Sequence, residues 1–159
     1  MAKDIGGLRD TEAVTSAREL LIETRREFFS DGESAEIDGL EAARMFADAV
    51  AERAADDFTV TMDGGAMTTT YRGREGFLAG WSDFLEPFET IRIEPEEMIE
   101  TDDPECLVEF VRLRGRPRGT AAEIAHDAAA VWRVGDGRIR AVEFHMSRDA
   151  ALRSGGATR

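Results

Sequence analysis

Apolar residues along this chain first recur at the spacing of helices and then switch to the alternation of strands. Ala13, Val14, Ala17, Leu20, Leu21, Thr24 and Phe28 lie three and four apart, which predicts a first helix over 11–29. The polar stretch 30–34 ends it. Asp38 with Glu41 three residues on has the pattern of a capping box. It opens a second helix over 38–55, with Leu40, Ala43, Phe46, Ala49 and Val50 inward. Residues 57–62 read as a short strand stopped by Asp63-Gly64-Gly65, and 68–71 as a candidate second one. Phe77, Leu78, Trp81, Phe84, Leu85 and Phe88 then form an apolar stripe of period 3.6, which predicts a third helix over 74–86.

From residue 91 onward the pattern is that of strands. The segment 91–100 is interrupted at Pro95, which predicts a bulge or an edge position. Segments 106–114 and 124–134 are joined by a Gly- and Arg-rich loop at 115–119. Gly135-Asp136-Gly137 is a hairpin signal leading into 138–146, and 147–152 reads as a closing turn. Residues 1–10 and 154–159 are Gly-rich or polar, the composition of frayed ends. The expectation is one domain over 1–159 with an ordered core of about 11–153. Its class is α+β, a strongly curved antiparallel sheet wrapped around helices and leaving a conical pocket.

Composition narrows the function. The net charge of -13 argues against non-specific attraction to nucleic acid or to an anionic membrane. Arg112, Arg114, Arg116 and Arg118 resemble a basic patch, but their alternate spacing is one face of a strand running into a turn. A single cysteine, Cys106, excludes an intrachain disulfide and fits a reducing compartment. All basic residues but Lys3 are Arg, a bias of GC-rich bacterial genomes. The first ten residues carry no apolar run, and no segment has the length of a membrane span. A bacterial cytoplasmic protein is expected. With no Gly-rich phosphate loop, paired Cys or His-x-x-x-His, neither a cofactor nor a metal is expected.

Strand residues alternate between faces, so one parity choice sorts each strand. Turning the apolar set toward the helices puts Val142, Phe144 and Met146 inside and Glu143 and His145 outside. In the preceding strand His126, Ala128, Ala130 and Trp132 turn in, with Asp127 and Arg133 out. Before that, Glu109, Val111 and Leu113 share the inner face; both faces mix apolar and charged residues there, and one bulge would reverse the choice. The expected wall comprises Val60, Met62, Trp81, Phe84, Val111, Leu113, Trp132, Phe144 and Met146. Glu109 and His126 stand out against it as acid–base candidates, because burial moves such groups toward neutral pKa values. Each has a plainer reading: His126 as a satisfied core residue, Glu109 as a solvent-facing partner of a basic neighbour. Asp63 is a third candidate or a turn-forming Asp before two glycines. Tyr71 either hydrogen-bonds a ligand at the cone mouth or packs ahead of the third helix.

Tyr71-Arg72-Gly73-Arg74-Glu75-Gly76, Asp136-Gly137-Arg138-Ile139 and Ala151-Leu152 carry a resemblance to the SnoaL-like branch of the nuclear-transport-factor-2-like superfamily. It covers roughly residues 40–155. That superfamily also holds ketosteroid isomerases and limonene epoxide hydrolases. The residues with which the hydrolases activate water fall here at about Glu109, Val111, Phe144, Val60 and Met62. None keeps the residue type, so an epoxide hydrolase mechanism of that kind is not implied. Asp63 lies near the position of the ketosteroid isomerases' proton-shuttling carboxylate. Their oxyanion-hole Tyr has no counterpart, since Tyr71 is the only tyrosine. SnoaL-type cyclases use an Asp and a His on neighbouring strands, approximated here by Glu109 and His126, or by Asp127 if the register shifts.

Two functions follow. One is a cofactor-independent isomerase or cyclase moving protons on a hydrophobic polyketide-like or terpenoid-like molecule. The other is a non-catalytic ligand-binding or assembly module. The second leads if Glu109 and His126 are more than about 8 Å apart, beyond hydrogen-bond reach. A homodimer through the outer sheet face is also expected, because Phe110, Ala125, Ala129, Val131 and Ala141 are too apolar for a solvated surface. Arg112, Arg114, Asp127, Glu143 and His145 would supply pairs across subunits.

Overall fold

The computed structural model describes residues 15–26 and 36–157. In chain order the elements are α1 (Ala17–Arg25), β1 (Ile37–Asp38), α2 (Leu40–Glu52), β2 (Ala54–Asp63), β3 (Thr68–Arg72), α3 (Gly73–Leu85), β4 (Phe88–Glu100), β5 (Cys106–Pro117), β6 (Ile124–Gly135), β7 (Arg138–His145) and α4 (Arg148–Gly155). The strands form one curved sheet in the order β1-β4-β5-β6-β7-β2-β3. All neighbours are antiparallel except β2 and β7, which run parallel with Val60 opposite Val142. The α+β class holds, with that one parallel pair where a purely antiparallel sheet was expected.

Local chemistry explains most boundaries. Ser16 caps α1 in a reciprocal capping box with Glu19. The ends of the expected helix at 11–14 and 27–29, and the expected frayed segment 1–10, lie outside the described residues. The capping box expected at Asp38 and Glu41 does not form. Ile37 and Asp38 pair with Ile93 and Arg92 as a short edge strand, and Gly39, at φ 103°, opens α2 without a side-chain cap. Burying Ile37 in the core outweighs the cap. Helix α2 ends at Glu52 and β2 starts at Ala54, a little earlier than the periodicity implies.

Between β4 and β5 the register shifts from Pro95–Val111 to Glu97–Phe110, the bulge that Pro95 signals. Asp136 (φ 55°) and Gly137 (φ 73°) make the tight turn between β6 and β7 that needs two residues at positive φ. Strand β5 continues to Pro117, so part of the expected 115–119 loop is sheet.

Helices α2 and α3 fill the concave face. Phe46, Val50, Phe77, Trp81 and Leu85 pack there against Phe58, Val60, Trp132 and Val142. Each of these buried side chains contributes about 1.5–3 kcal/mol. On the convex face the expected closing turn is instead α4, running from an N-cap at Ser147 to Gly156 at φ 71°. Ser154 is therefore helical and hydrogen-bonds Glu143, where a frayed tail was expected. Ala151 joins Cys106, Val108, Ala129 and Val131 in a second core. Gly155 sits so close that a Cβ there would meet Val108 Cγ2 at 2.5 Å.

Helix α4 thus covers part of the apolar outer face on which a second copy was expected. The charges on that face also find partners within the chain. Arg112 pairs with Asp127 at 2.8 Å and Arg114 with Glu94 at 3.1 Å.

Candidate functional site

Between the concave face and the helices lies a cavity of about 570 Å³, counted out to its mouth. Its wall is aromatic and aliphatic. Trp81 and Phe84 from α3 face Trp132, Ala128 and Ala130 from β6 and Phe144 from β7. The small Ala128 and Ala130 create the space, and Trp81 stacks within 5.3 Å of Phe144, ring centre to ring centre. Of the residues expected to touch a ligand, Met62, Trp81, Phe84, Val111, Trp132, Phe144 and Met146 line this cavity. Tyr71 does not. Its ring packs on Gly80, where an added Cβ would lie 2.7 Å from it. Val60, placed on the wall by parity, is core rather than lining.

Glu109 lines the cavity and is 1% exposed. Parity had put it on the inner face, but its partner is not His126. Arg25, arriving from α1 and 2% exposed, grips both carboxylate oxygens at 2.6 and 2.9 Å. Trp132 Nε1 donates to the same carboxylate at 3.3 Å. Arg25 also lies 5.6 Å from the Phe46 ring centre, and its Nε has no acceptor. This arrangement limits the chemistry. A proton taken by Glu109 would leave the Arg25 guanidinium as an uncompensated buried charge, costing several kcal/mol.

His126 shares the concave parity but stands at the exposed rim, where Nε2 donates to the Met146 carbonyl at 2.7 Å. In the β5–β6 register Glu109 opposes Ala130 and His126 opposes Leu113. Four residues at about 3.3 Å each separate the two by roughly 13 Å. They make no mutual hydrogen bond, so the shared acid–base pair expected from the sequence is not assembled.

Asp63, the third candidate, is not on the cavity wall. It accepts from the Gly65 N–H at 2.9 Å, the turn role, and meets His145 Nδ1 at 2.9 Å. The other ring nitrogen of His145 meets Glu143 at 2.8 Å, and Glu143 accepts from Ser154 of α4. The Gly65 N–H, then His145, hold the Asp63 carboxyl below its ordinary pKa. Desolvation pushes Glu143 up, but Ser154, His145 and Arg133 together bring it below the ordinary value. His145, assigned to the outer face by parity, is 7% exposed because this network encloses it.

Arg25 was missed by sequence reasoning, although it lies four residues after Leu21 and eight after Ala17 on the inward face of α1. Ile37, Phe46, Ile93, Leu113, Ala129 and His145 complete the lining, so the imidazole that Asp63 and Glu143 hold also borders the cavity. Among the described residues, no cluster of His, Cys, Asp and Glu could hold a metal ion, and no helix is long and apolar enough to cross a membrane.

The family model for the SnoaL-like domain matches residues 35–142. The chain belongs to the SnoaL-like domain family. Solved structures of this fold include an NTF2-like protein from Burkholderia pseudomallei, 17% identical, covering 91% of this chain and 100% of that one with a TM-score of 0.58. A SnoaL-like polyketide cyclase candidate from Jannaschia is 16% identical over 72% of this chain and 81% of its own, with a TM-score of 0.54. A protein of ketosteroid isomerase-like fold from Catenulispora acidiphila, solved with trimethylamine, is 17% identical over 70% and 83%, with a TM-score of 0.53. At these identities the likeness to solved structures carries the SnoaL-like fold alone. No curated protein matches the chain.

Proposed function

We propose that this SnoaL-like protein binds a hydrophobic small molecule, polyketide-like or terpenoid-like in character, inside its cone. The observation that carries the reading is an apolar cavity wall whose buried ionic groups, Arg25 and Glu109, are locked to each other. Such a site offers shape and desolvation, and its one other titratable lining group, His145, is engaged at both ring nitrogens by Asp63 and Glu143. The test uses the protein's only two tryptophans, Trp81 and Trp132, both of which line the cavity. Titration with naphthalene- and indane-sized molecules should shift or quench their fluorescence and raise Tm. Silence in both readouts up to the solubility limit of such a panel rejects the reading.

A second reading, proton transfer as in an isomerase or cyclase, is favoured by one observation: the Glu109 carboxylate lies in the lining. It requires α-hydrogen exchange of a bound ketone into deuterated water, abolished in Glu109→Gln under conditions where the variant's Trp fluorescence shows it folded. For assembly we propose a homodimer through the part of the outer sheet face that α4 leaves uncovered, where Ala125 and Ala141 lie; the Phe110 ring is covered by Arg148 of α4. We place the protein in the bacterial cytoplasm, in keeping with its single, buried cysteine.

A further inference from the structure

Arg25 has five N–H donors, and the described contacts use only those that reach Glu109. Its Nε is buried with no acceptor, although the residue lines the cavity. Phe46 lies against the cation but accepts no conventional hydrogen bond. Buried donors are nearly always satisfied, and one left without a partner calls for an explanation. The ion pair itself supplies two further constraints. Arg25 and Glu109 sum to zero charge, so a second anion in this apolar space would be buried without a counter-charge. Glu109 already accepts from Arg25 and from Trp132 Nε1, which makes the floor of the cavity richer in unused donors than in acceptors.

Resting on the reading of the cavity as a binding site, we propose that Arg25 is its polar anchor. The ligand is an uncharged apolar molecule whose leading end carries a hydrogen-bond acceptor, such as a ketone or quinone oxygen, received by the spare N–H groups of Arg25. Glu109 is then a positioning residue: it orients the guanidinium and excludes anions, and does not touch the ligand. Polar selection takes place at the floor, where Arg25 meets Glu109 and Trp132, and not at the rim where His126 stands.

The test compares three probes of one size, indane, 1-indanone and indane-1-carboxylate, by calorimetry and Trp fluorescence on the full chain. A hydrogen bond to a charged donor is worth about 1.5–3 kcal/mol, so the ketone is expected to bind roughly tenfold or more tighter than the hydrocarbon. The carboxylate is expected to bind weakest. Arg25→Met alone leaves a buried unpaired carboxylate, so the variant measured is the charge-balanced Arg25→Met/Glu109→Gln. There the ketone advantage should vanish while indane binding persists. Equal affinity of indane and indanone for the native protein overturns the anchor and leaves the cavity reading intact. Tightest binding of the carboxylate overturns it too. Binding of none of the three overturns both the anchor and the cavity reading.

Discussion

The Arg25–Glu109 pair makes a stability prediction whose sign depends on both partners. Two opposite charges, each at most 2% exposed, meet through bonds of 2.6 and 2.9 Å. Removing one partner strands the other in the interior, which costs about 3–5 kcal/mol. Glu109→Gln puts an amide NH₂ where one of two oxygens faces the guanidinium, so one hydrogen bond becomes a donor–donor contact. Arg25→Met leaves the carboxylate with Trp132 Nε1 at 3.3 Å as its remaining side-chain donor. Domains of this size have roughly 5–15 kcal/mol in total, so either single change should leave the protein marginal. The double variant Arg25→Met/Glu109→Gln removes both charges and should recover to within about 2 kcal/mol of the native protein. Urea unfolding followed by Trp fluorescence, at unchanged m-value, measures all four corners of the cycle. Single losses below about 1 kcal/mol, or losses that simply add in the double variant, would refute the burial argument. The experiment also bears on catalysis, since a dead but unfolded Glu109→Gln says nothing about a base.

Trp81→Ala should cost on the order of 3–5 kcal/mol, because the ring packs among Phe46, Phe77, Phe84 and Phe144 and its Nε1 donates to the Ala43 carbonyl; a loss below about 1 kcal/mol in urea melts would mean α3 is misplaced. Gly155→Ala should cost about 1–3 kcal/mol by pushing α4 off Val108; an unaffected Tm would remove α4 from the convex face. Asp63 and Glu143 have folded pKa values below their unfolded ones, so their contribution is present above about pH 4 and lost as pH falls through the folded values. Tm should therefore drop below pH 4, and Ser154→Ala should shrink that drop; equal acid profiles for the two proteins contradict it. Light scattering at tens of micromolar should give a dimer, and a monomer there removes the outer-face interface.

What could be read from the chain was what local period encodes. The stripe from Phe77 to Phe88 marks α3, Pro95 marks a bulge, and Asp136-Gly137 marks a turn, because each is a constraint on the backbone within a few residues. Helix α4 escaped notice because it is short and Ala151 is its one buried residue, so it carries no apolar stripe. Its traces were Ser147 at the start and Gly156 just past the end. The Asp38 cap was overruled from a distance, by the pairing of Ile37 with Ile93. Competition of that kind between a local cap and a tertiary contact cannot be weighed from the sequence on either side of it.

The candidate site divides along the same line. Parity put Glu109, Ala128, Ala130 and Trp132 on one face, as a period of two must. It could not say how far along the face a residue sits from the helices, and here that decides the chemistry. His126 is on the right face but at the rim. His145 is on the other face yet enclosed by Asp63 and by Glu143, which Ser154 of α4 holds. The Arg25–Glu109 contact spans 84 residues of sequence, and no local pattern encodes it. The cost of burying charge points to it instead. A charged residue on the apolar stripe of α1 and a lone acid on an apolar strand face are each too costly to bury unpaired. Both faces point into one core, and the charges are opposite. Pairing is the arrangement that makes both placements tolerable, and it changes Glu109 from a free base into the neutralised floor of the cavity.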